Sequence, residues 1–390
     1  MADYQAMVHA LYPEMVQLRR HLHQHPELSG EEHQTLAFIL SHLDAWQIPY
    51  TRYANGGICA MIGQGEKAIG IRADMDALPI EEKTGLCYAS QNPGVMHACG
   101  HDMHTAILLA AAKMFKMQEK ELPCMVKLFF QPAEETVGGA KIMVDGGCME
   151  NPHVAQVLAL HVDPALPVGT ASFLPGKMNA AVIELDIKVK GKGCHGAHPE
   201  QGVDAIVAAA QIICALQTVN SRLSAPTDPV VLTIGILQGG TGRNIVAGEV
   251  LLQGTVRVLD METAKNVKAH IIRMAESTAA AFGATAEVTL TDDYPALINH
   301  PALTRNLYQY AKEMLGEENV ILLDTPSMGA DDFAYFTQAA PGCYFNIGTG
   351  KKGEPAQSLH SGSFAPQEEA METGLSLLSA FVRHLMEETP

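Results

Sequence analysis

The sequence has little positive charge and few aromatic residues. Lys and Arg number 26 against 43 Asp and Glu, so the formal net charge is −17, and only 6% of the residues are aromatic. Binding to nucleic acid or to anionic lipid depends on clustered Lys and Arg, and a chain with this charge balance is poorly suited to it. We therefore expect no nucleic-acid partner and no binding to a membrane surface.

The sequence also lacks a disulfide framework and a membrane span. Its eight cysteines are scattered and form no C-x-x-C pair, which indicates a reducing compartment. No apolar run approaches the length of a bilayer span, and the first residues lack the basic-then-apolar pattern of a signal peptide. These absences predict a cytoplasmic protein. What the chain does have is 390 residues of which 47% are hydrophobic, enough for two domains.

The order of the predicted elements divides the chain into two parts. Short apolar strands alternate with helices over 1–178 and again over 292–390, which is typical of an α/β domain with a central, mostly parallel sheet. Over 179–291 the order changes to strand, helix, two strands, helix and strand, the βαββαβ signature of a ferredoxin-like fold. We predict a discontinuous catalytic domain with an inserted smaller domain, and hinges near residues 179 and 291.

A capping box is predicted at the start of the second helix. Ser29 stands three residues before Glu32, the spacing at which two side chains each bind the other's backbone N–H group. Histidines 21, 23 and 25 precede this helix. Because two of them have helical spacing and lie among arginines, we expect surface or supporting groups here and no metal ligands.

The stretch 97–104, HACGHDMH, is the densest group of reactive side chains in the sequence. Its imidazole, thiol and carboxyl groups are ligands for borderline divalent metals. A predicted helix follows, so Cys99 and His101 are expected just ahead of a helix N-terminus, where backbone N–H groups lower the pKa of a thiol. The alternative is a set of buried, hydrogen-bonded histidines beside an unreactive cysteine.

Acidic and imidazole side chains also stand where predicted strands end. They are Asp74 and Asp76 after one strand, Glu134 and Glu135 after a second, and His161 after a third. The carboxyl ends of strands in an open α/β sheet form a ligand-binding crevice. Aspartates after a strand also suit a plain turn, but adjacent glutamates repel each other unless a cation is near. A metal site at this edge is therefore favoured.

Five residues supply nitrogen, oxygen and sulfur donors from separate parts of the chain: Cys99, His101, Glu135, His161 and His360. Five donors exceed one tetrahedral site but suit two divalent ions that share a bridging water. Glu134 is then the candidate general base, because its neighbour Glu135 binds metal. A donor set of this kind accepts zinc, manganese, cobalt or nickel.

The inserted segment carries polar residues of a different kind. His195 is a candidate donor to an oxyanion, and Arg257 is a candidate bidentate partner for a substrate carboxylate. A surface salt bridge explains Arg257 equally well. The glycine run at 239–244 lacks the Gly-Lys-Ser/Thr ending of a phosphate loop, which argues against a nucleotide.

Motifs along nearly the whole chain resemble those of the aminoacylase/carboxypeptidase family of di-metal amidohydrolases, most closely the branch of hippurate, auxin-conjugate and N-acyl-amino-acid hydrolases. They are RHLHQHPEL (20–28), RADMDALP (72–79), HACGHD (97–102), QPAEE (131–135), GGAK (138–141), HGA (195–197), GTVR (254–257) and LH (359–360). The resemblance implies a zinc-peptidase-like catalytic domain over 1–178 and 292–390 and a lid or dimerisation domain over 179–291.

The resemblance also implies roles for residues. It implies that the same five donors hold two metal ions and that Glu134 is the general base. His195 and Asn244 of the lid would meet the substrate, with Asp76 and Asp102 behind the ligands. In dimeric relatives the lid histidine reaches the neighbouring subunit's site, so a homodimer or dimer-based oligomer is expected. Some positions depart from the branch's pattern without removing a ligand or the base, and they bear on substrate preference: Glu200, Ala205, Asp331 and Gly362.

These observations lead to one principal hypothesis and three alternatives. The principal hypothesis is a metal-dependent amidohydrolase that cleaves the amide bond of a small N-acyl amino acid, hippurate-like or N-acetylated, to a carboxylic acid and a free amino acid. A metallo-carboxypeptidase or dipeptidase acting on small peptides is the nearest alternative. A thiol amidohydrolase with Cys99 as nucleophile would leave the strand-end acids unused. A non-catalytic metal-binding protein would have no need of Glu134.

Overall fold

The computed structural model describes residues 2–136, 138–225 and 227–388. The helices are α1 (Ala2–Gln24), α2 (His33–Ala45), α3 (His101–Met117), α4 (Gly139–Asp145), α5 (Ala205–Thr218), α6 (Met261–Ala281), α7 (Pro301–Leu315), α8 (Ala334–Ala339) and α9 (Ala370–Glu388). The strands are β1 (Tyr50–Arg52), β2 (Ile58–Ile62), β3 (Lys67–Asp74), β4 (Met125–Gln131), β5 (His153–Pro167), β6 (Ala171–Phe173), β7 (Gly176–Asn179), β8 (Ala181–Lys190), β9 (Cys194–His195), β10 (Val230–Gly239), β11 (Ile245–Val246), β12 (Glu249–Val258), β13 (Thr285–Asp292), β14 (Leu297–Asn299), β15 (Val320–Leu322) and β16 (Gly342–Gly350).

The chain folds as two compact units. The larger unit contains Met1–Gly176, Ile298–Thr325 and Asp332–Pro390, and the smaller contains Lys177–Leu297 and Pro326–Asp331. The predicted insertion, 179–291, is shorter than the smaller unit. Pro326–Asp331 joins that unit through backbone hydrogen bonds, among them one of 2.9 Å from the Ser327 N–H group to the Met178 carbonyl. Such a bond between residues far apart in the chain leaves no mark on a local sequence pattern.

An eight-stranded sheet forms the centre of the larger unit. Its order is β1-β2-β4-β3-β5-β16-β6-β15, and the neighbours β4, β3, β5 and β16 run parallel. Helix α3 packs against α1, α9 and β3, and its side chains are buried almost all round. A helix that is buried on every side needs apolar side chains all round, and the alanine-rich run after His104 provides them. The predicted α/β fold with a mostly parallel sheet is confirmed.

The parallel strands carry polar residues toward one edge of this sheet. Strand β3 ends at Asp74 and β4 ends at Gln131, close to the predicted positions. The prediction that the next strand ends at His161 is wrong, because β5 continues to Pro167. Parallel pairing with β16 extends past the short apolar run that marks the strand in the sequence. His161 is therefore held within a strand and not on a loop.

The core of the smaller unit is a four-stranded antiparallel sheet packed against two helices. Along the chain the elements are β8, α5, β10, β12, α6 and β13, and the sheet order is β10-β12-β8-β13. The buried faces of α5 and α6 share a hydrophobic core with the sheet, to which Ile187, Ile212 and Ile271 contribute. The order of elements is thus the βαββαβ pattern seen in the sequence.

One helical stretch of the smaller unit is long and apolar enough to cross a membrane by length and composition alone. It spans Ala205–Leu223, 19 residues, and it corrects the expectation that no such run exists. Core helices of soluble proteins have the same length and composition, so this helix alone is weak evidence for a membrane span. Ala208, Ile212 and Leu216 on its inner face are fully buried in the core of the smaller unit.

The predicted capping box at the start of α2 does not form. The helix begins at His33, and Glu32 occupies the cap position without a side-chain hydrogen bond to the helix. Ser29 instead donates its hydroxyl to Asp76 at 2.7 Å. Two N–H groups of the first turn are satisfied by the carboxylate of Glu27, at 3.0 and 2.8 Å, so the helix has no need of the box.

Candidate metal centre

Separate segments of the larger unit bring the predicted ligands to one edge of the sheet. They are Cys99 just before α3, His101 as its first residue, Glu135 in the loop after β4, His161 in β5 and His360 in the loop after β16. The His360 backbone N–H donates to the carbonyl of Ala98 at 2.9 Å, which ties the last of these segments to the first. Ligands far apart in sequence are thus brought together by the sheet and its loops.

The turn between two of the ligands requires glycine. Gly100 has a φ of +87°, in the left-handed region that side chains with a Cβ rarely adopt. A Cβ atom there would also lie 2.5 Å from a methyl group of Val162. The close approach of this turn to β5 therefore places Cys99 and His101 beside His161.

The donor atoms form three overlapping groups, each spanning no more than 4.8 Å. The groups are Cys99, His101 and His161; Cys99, Glu135 and His360; and His101, Glu134 and Glu135. The sulfur of Cys99 lies 3.5 Å from Nε2 of His161. Oε1 of Glu135 lies 3.3 Å from Nε2 of His360 and 4.0 Å from Nε2 of His101. Because the groups share members, the five predicted ligands and Glu134 form one continuous cluster.

Two buried atoms of this cluster indicate that the residues suit metal ions. Nε2 of His101 and Oε1 of Glu135 form no hydrogen bond of regular geometry with the described residues, although Nε2 of His360 lies 3.3 Å from the Glu135 oxygen. A buried polar atom without a partner costs about 1–3 kcal/mol. Imidazole nitrogen, carboxylate oxygen and thiol sulfur are also the donors that zinc and related divalent ions accept. The donor set therefore fits divalent cations, and its overlapping groups provide for two.

One carboxylate, that of Asp76, supports two of the ligands. Its Oδ1 accepts a hydrogen bond from Nδ1 of His101 at 3.1 Å, which leaves Nε2 directed to the cluster. Its Oδ2 accepts the backbone N–H of Glu135 at 2.9 Å and the hydroxyl of Ser29. Burial raises the pKa of Asp76, but the interaction with His101 and the hydrogen bonds from Glu135 and Ser29 together bring this pKa below its ordinary value. Asp76 is thus an anion that orients both ligands.

A chain of hydrogen bonds orients His161. Its Nδ1 donates to the Val162 carbonyl at 2.9 Å, leaving Nε2 on the side of Cys99. The N–H group of Val162 donates to Nε2 of His104 at 3.1 Å, and Nδ1 of His104 donates to Asp74 at 2.6 Å. Burial lowers the pKa of His161 to about 3, with a further contribution from His104. The imidazole is therefore neutral, the form that binds metal.

Buried Arg72 holds the end of this chain. Its guanidinium donates to Asp74 at 2.5 Å, to Gln131 at 2.7 Å and to Asp332 at 2.8 Å. Burial raises the pKa of Asp74, but the neighbouring positive charges, Arg72 first, bring it well below its ordinary value. A buried arginine with matched acceptors keeps the carboxylate ionised and fixed in place.

Asp102, the second carboxylate predicted behind the ligands, belongs to a different network. Its Oδ2 accepts hydrogen bonds from Nε of Arg19 at 2.7 Å and from Nδ1 of His23 at 2.8 Å, and all three side chains are buried. Within the described part of the chain, its hydrogen bonds do not reach a predicted ligand. They join α1 to α3, so Asp102 fixes the position of the helix that begins with His101.

The predicted low pKa of the Cys99 thiol is wrong. Burial raises this pKa, and the interactions with His101 and His360 offset it only in part. The sequence pattern could not reveal how completely Cys99 would be enclosed. Without a cation the residue stays a thiol, which disfavours the thiol-hydrolase alternative. A coordinated divalent ion deprotonates such a thiol directly.

The predicted substrate-binding residues belong to the smaller unit. His195 lies in β9, which pairs with β11, and the Gly196 N–H group donates to the Asn244 carbonyl at 2.7 Å. The side chains of His195, in β9, and Asn244, just before β11, are exposed. Arg257 lies in β12, and its guanidinium donates to the carbonyl of Met328 at 3.1 Å. The fold of this unit therefore brings His195 and Asn244 together.

Four residues support the site but were not assigned that role from the sequence: Ser29, Arg72, Asp74 and His104. A signal was present for two of them. Asp74 is the first carboxylate after the β3 run, and His104 follows His101 by one helical turn. The predicted ligands and the residues that support them lie in the same sequence motifs. Only their hydrogen bonds in the structure distinguish a ligand from a supporting residue.

This arrangement places one further carboxylate, that of Glu134, beside the five predicted ligands. Glu134 is buried, and its carboxylate lies within 4.8 Å of the donor atoms of His101 and Glu135. A carboxylate beside two cations can accept a proton from water and pass it to a leaving group. Such a site is suited to hydrolysis of a carbonyl compound.

Comparison with known proteins agrees with this chemistry. The model of the family described as "Peptidase family M20/M25/M40" matches residues 70–384. The N-acetyl-L-cysteine deacetylase of Bacillus subtilis (strain 168) is 40% identical over 343 residues, 87% of this chain and 81% of that protein. The N-acetyldiaminopimelate deacetylase of Enterococcus faecalis is 37% identical over 378 residues, 95% of this chain and 98% of that protein.

A solved structure is also similar to this chain over nearly its whole length. The YXEP protein of Bacillus subtilis, described as a dinuclear metal-binding peptidase from the M20 family, superimposes with a TM-score of 0.84 at 33% identity. The match covers 97% of this chain and 99% of that one. Because the family model spans most of the chain and these relatives align over nearly its whole length, this protein belongs to peptidase family M20/M25/M40.

Proposed function

We propose that this protein is a metal-dependent amidohydrolase that cleaves the amide bond of a small N-acyl amino acid, releasing a carboxylic acid and a free amino acid. The observation that carries the proposal is the convergence of five nitrogen, oxygen and sulfur donors with a sixth residue, Glu134. Two relatives support the substrate class, since both are named as deacetylases of N-acetylated amino acids.

The five predicted ligands would hold two divalent cations: Cys99, His101, Glu135, His161 and His360. We propose manganese or zinc, with cobalt and nickel as further occupants that the donor set accepts. When bound, the cations would polarise the substrate carbonyl and make water more acidic. Asp76 and Asp102 are proposed as supports, the first through His101 and Glu135 and the second through the position of α3.

Glu134 is proposed as the general base. Its carboxylate lies within 4.8 Å of the donor atoms of His101 and Glu135, which supports a role in taking a proton from a water molecule that attacks the amide carbon. The same carboxyl group would then return that proton to the leaving amine, because an amine leaves only after protonation. A general base of this kind contributes about a hundredfold to ten-thousandfold to the rate.

The smaller unit is proposed to recognise the substrate. His195 would donate a hydrogen bond to the developing oxyanion, Asn244 would contact the substrate, and Arg257 would bind its carboxylate. We also propose that this unit is the lid and dimerisation domain of a cytoplasmic homodimer or dimer-based oligomer. Apolar side chains exposed on α5 and on the edge strand β10 support this, among them Ile206 and Leu237. A monomer in light scattering at micromolar concentration would contradict the assembly.

A substrate panel tests the proposed function. The purified protein, loaded with Mn²⁺ or Zn²⁺, is offered N-acetyl and N-benzoyl amino acids and, in parallel, dipeptides. We expect hydrolysis of N-acyl amino acids that is lost after dialysis against a chelator and restored by the metal. Full activity without bound metal would contradict the proposal, and faster cleavage of dipeptides would favour the peptidase alternative.

A further inference from the structure

The segment 27–32, between α1 and α2, is hydrogen-bonded to two parts of the candidate metal centre. One is Asp76, after β3, and the other is the loop after β4, which carries Glu134 and Glu135. The Ser29 hydroxyl donates to Asp76 at 2.7 Å, and the Glu32 carboxylate accepts the backbone N–H of Ala133 at 2.8 Å. Asp76 in turn accepts the N–H of Glu135 at 2.9 Å. The segment is thus joined to the loop that carries Glu134 and Glu135 at two points.

Glu32 lies at a helix N-terminus but does not serve that helix. It occupies the cap position of α2 and makes no side-chain bond to it, because Glu27 already accepts two of the first N–H groups. The Glu32 side chain turns instead toward Ala133 and is 5% exposed. Burial raises the pKa of this carboxyl to about 7, although nearby backbone N–H groups oppose the shift. Burial of a carboxyl group is energetically unfavourable. Because Glu32 is buried and does not cap α2, its carboxyl group indicates a different role.

The residue that Glu32 contacts has a strained backbone. Ala133 has a φ of +57°, which costs of order 1–3 kcal/mol for a residue with a Cβ unless its surroundings enforce it. Its N–H is bound by Glu32, and its carbonyl accepts the N–H of Gly139 at 3.2 Å. Gly139 packs so closely that a Cβ there would lie 1.8 Å from the Pro132 carbonyl. The conformation of Ala133 sets the direction in which the next two residues leave the sheet.

We propose that Glu32 is a positioning residue for Glu134 and Glu135, acting by holding Ala133 in its left-handed conformation. The inference rests on the proposed function, in which these two glutamates are the base and a metal ligand. Among the described residues, the Glu32 side chain has no hydrogen bond to a predicted metal ligand, so its effect would pass through the Ala133 backbone. Loss of the hydrogen bond would let the loop relax and would move both carboxylates from the cluster.

The experiment replaces Glu32 and compares it with its exposed neighbour. Glu32→Leu removes the acceptor at similar size, and the cavity of ≈360 Å³ that Glu32 and Ala133 help to line leaves room for the new side chain. Glu31→Leu is the matched control, because the Glu31 side chain is 74% exposed. The measurements are kcat and KM at saturating Mn²⁺, and the affinity of the metal-stripped full chain for Mn²⁺ by calorimetry.

We expect Glu32→Leu to lower kcat on the order of tenfold to a hundredfold, with KM within about threefold of the parent. Its Mn²⁺ affinity should fall about tenfold, while Glu31→Leu should match the parent. Glycine adopts positive φ without strain, so Glu32→Leu combined with Ala133→Gly should recover much of both losses. A merely structural role for Glu32 would not be rescued by a change at Ala133.

Each outcome decides the inference. Parental kcat and Mn²⁺ affinity in Glu32→Leu would overturn it, and so would a double variant no better than Glu32→Leu. If Glu32→Leu fails to fold by circular dichroism, Glu32→Ala, which also lacks the acceptor, carries the same comparison with and without Ala133→Gly. If the parent hydrolyses no N-acyl amino acid, the proposed function fails, whereas the Mn²⁺ affinities still test the role of Glu32.

Discussion

His101 in the larger unit and His195 in the smaller unit are the same side chain in opposite surroundings. His101 is buried, its Nδ1 is bound to Asp76 at 3.1 Å, and Asp74 lies 3.7 Å from its Nε2. His195 is exposed, and its Nδ1 accepts a hydrogen bond from the backbone of Ala197, two residues away, at 3.1 Å. Distant residues therefore fix the first ring, whereas the hydrogen bond to the second ring comes from its near neighbour Ala197.

The difference separates two requirements of a hydrolase. A metal site needs buried donors held by a network, because buried charges are stable only when they are paired and hydrogen-bonded. Recognition of varied substrates needs side chains that can change without disturbing the core. Glu200, one of the departures from the family pattern, is exposed in the smaller unit, where a change of residue costs little stability. A substitution at such an exposed position should leave the buried metal donors undisturbed.

The largest effect on activity is expected at the candidate metal centre, from Glu134→Gln. The amide cannot accept a proton, so kcat should fall about a thousandfold. The metal content, measured by mass spectrometry, should match the parent because Glu134 is not a proposed ligand. An active Glu134→Gln variant would remove the general base from the proposal and with it the functional contrast between the two units.

The next effect is expected from Cys99→Ala. Loss of the sulfur donor should weaken Mn²⁺ or Zn²⁺ binding about a hundredfold, since changes even outside the ligand set cost ten- to a hundredfold. Cys87→Ala is the control, because Cys87 is the exposed cysteine of the same unit. Equal metal affinity in the two variants, measured by titration of the metal-stripped chain, would show that the ligand assignment is wrong.

The smallest effect is expected in the smaller unit, from His195→Ala. The variant should lose about tenfold to a hundredfold in kcat/KM, because one donor to the oxyanion is missing. Its unfolding free energy should stay within about 0.5 kcal/mol of the parent, and its metal content should not change, since His195 is exposed. His198→Ala, also exposed, is the control. A loss of metal in His195→Ala would refute the separation of the two regions.

The sequence predicted the fold class, and the five ligands proposed from it lie in one cluster of the structure. Strands β2 and β4 and helix α7 stand almost where their apolar patterns place them, because local periodicity reports which face of an element is buried. The stretch 97–104 and the Glu134–Glu135 pair pointed to metal chemistry through residue type alone. A metal site can be predicted from residue type alone, since clusters of thiol, imidazole and carboxyl groups have few other common roles.

Three expectations failed for one physical reason. The low pKa of the Cys99 thiol, the capping box of Ser29 with Glu32, and the end of a strand at His161 were all inferred from neighbours in sequence. Burial, a hydrogen bond to Asp76 and pairing with β16 decided them instead. Each of these interactions joins segments that are distant in the chain.

The sequence by itself determined which elements form and which side chains can bind metal, because periodicity and residue chemistry are local properties. Only the tertiary structure decided which of the acids and histidines face the cluster and which stand behind it. The difference between His101 and His104, or between Asp76 and Asp102, lies in their hydrogen-bond partners. Those partners come from other strands and helices, and the folded sheet is what brings them within reach.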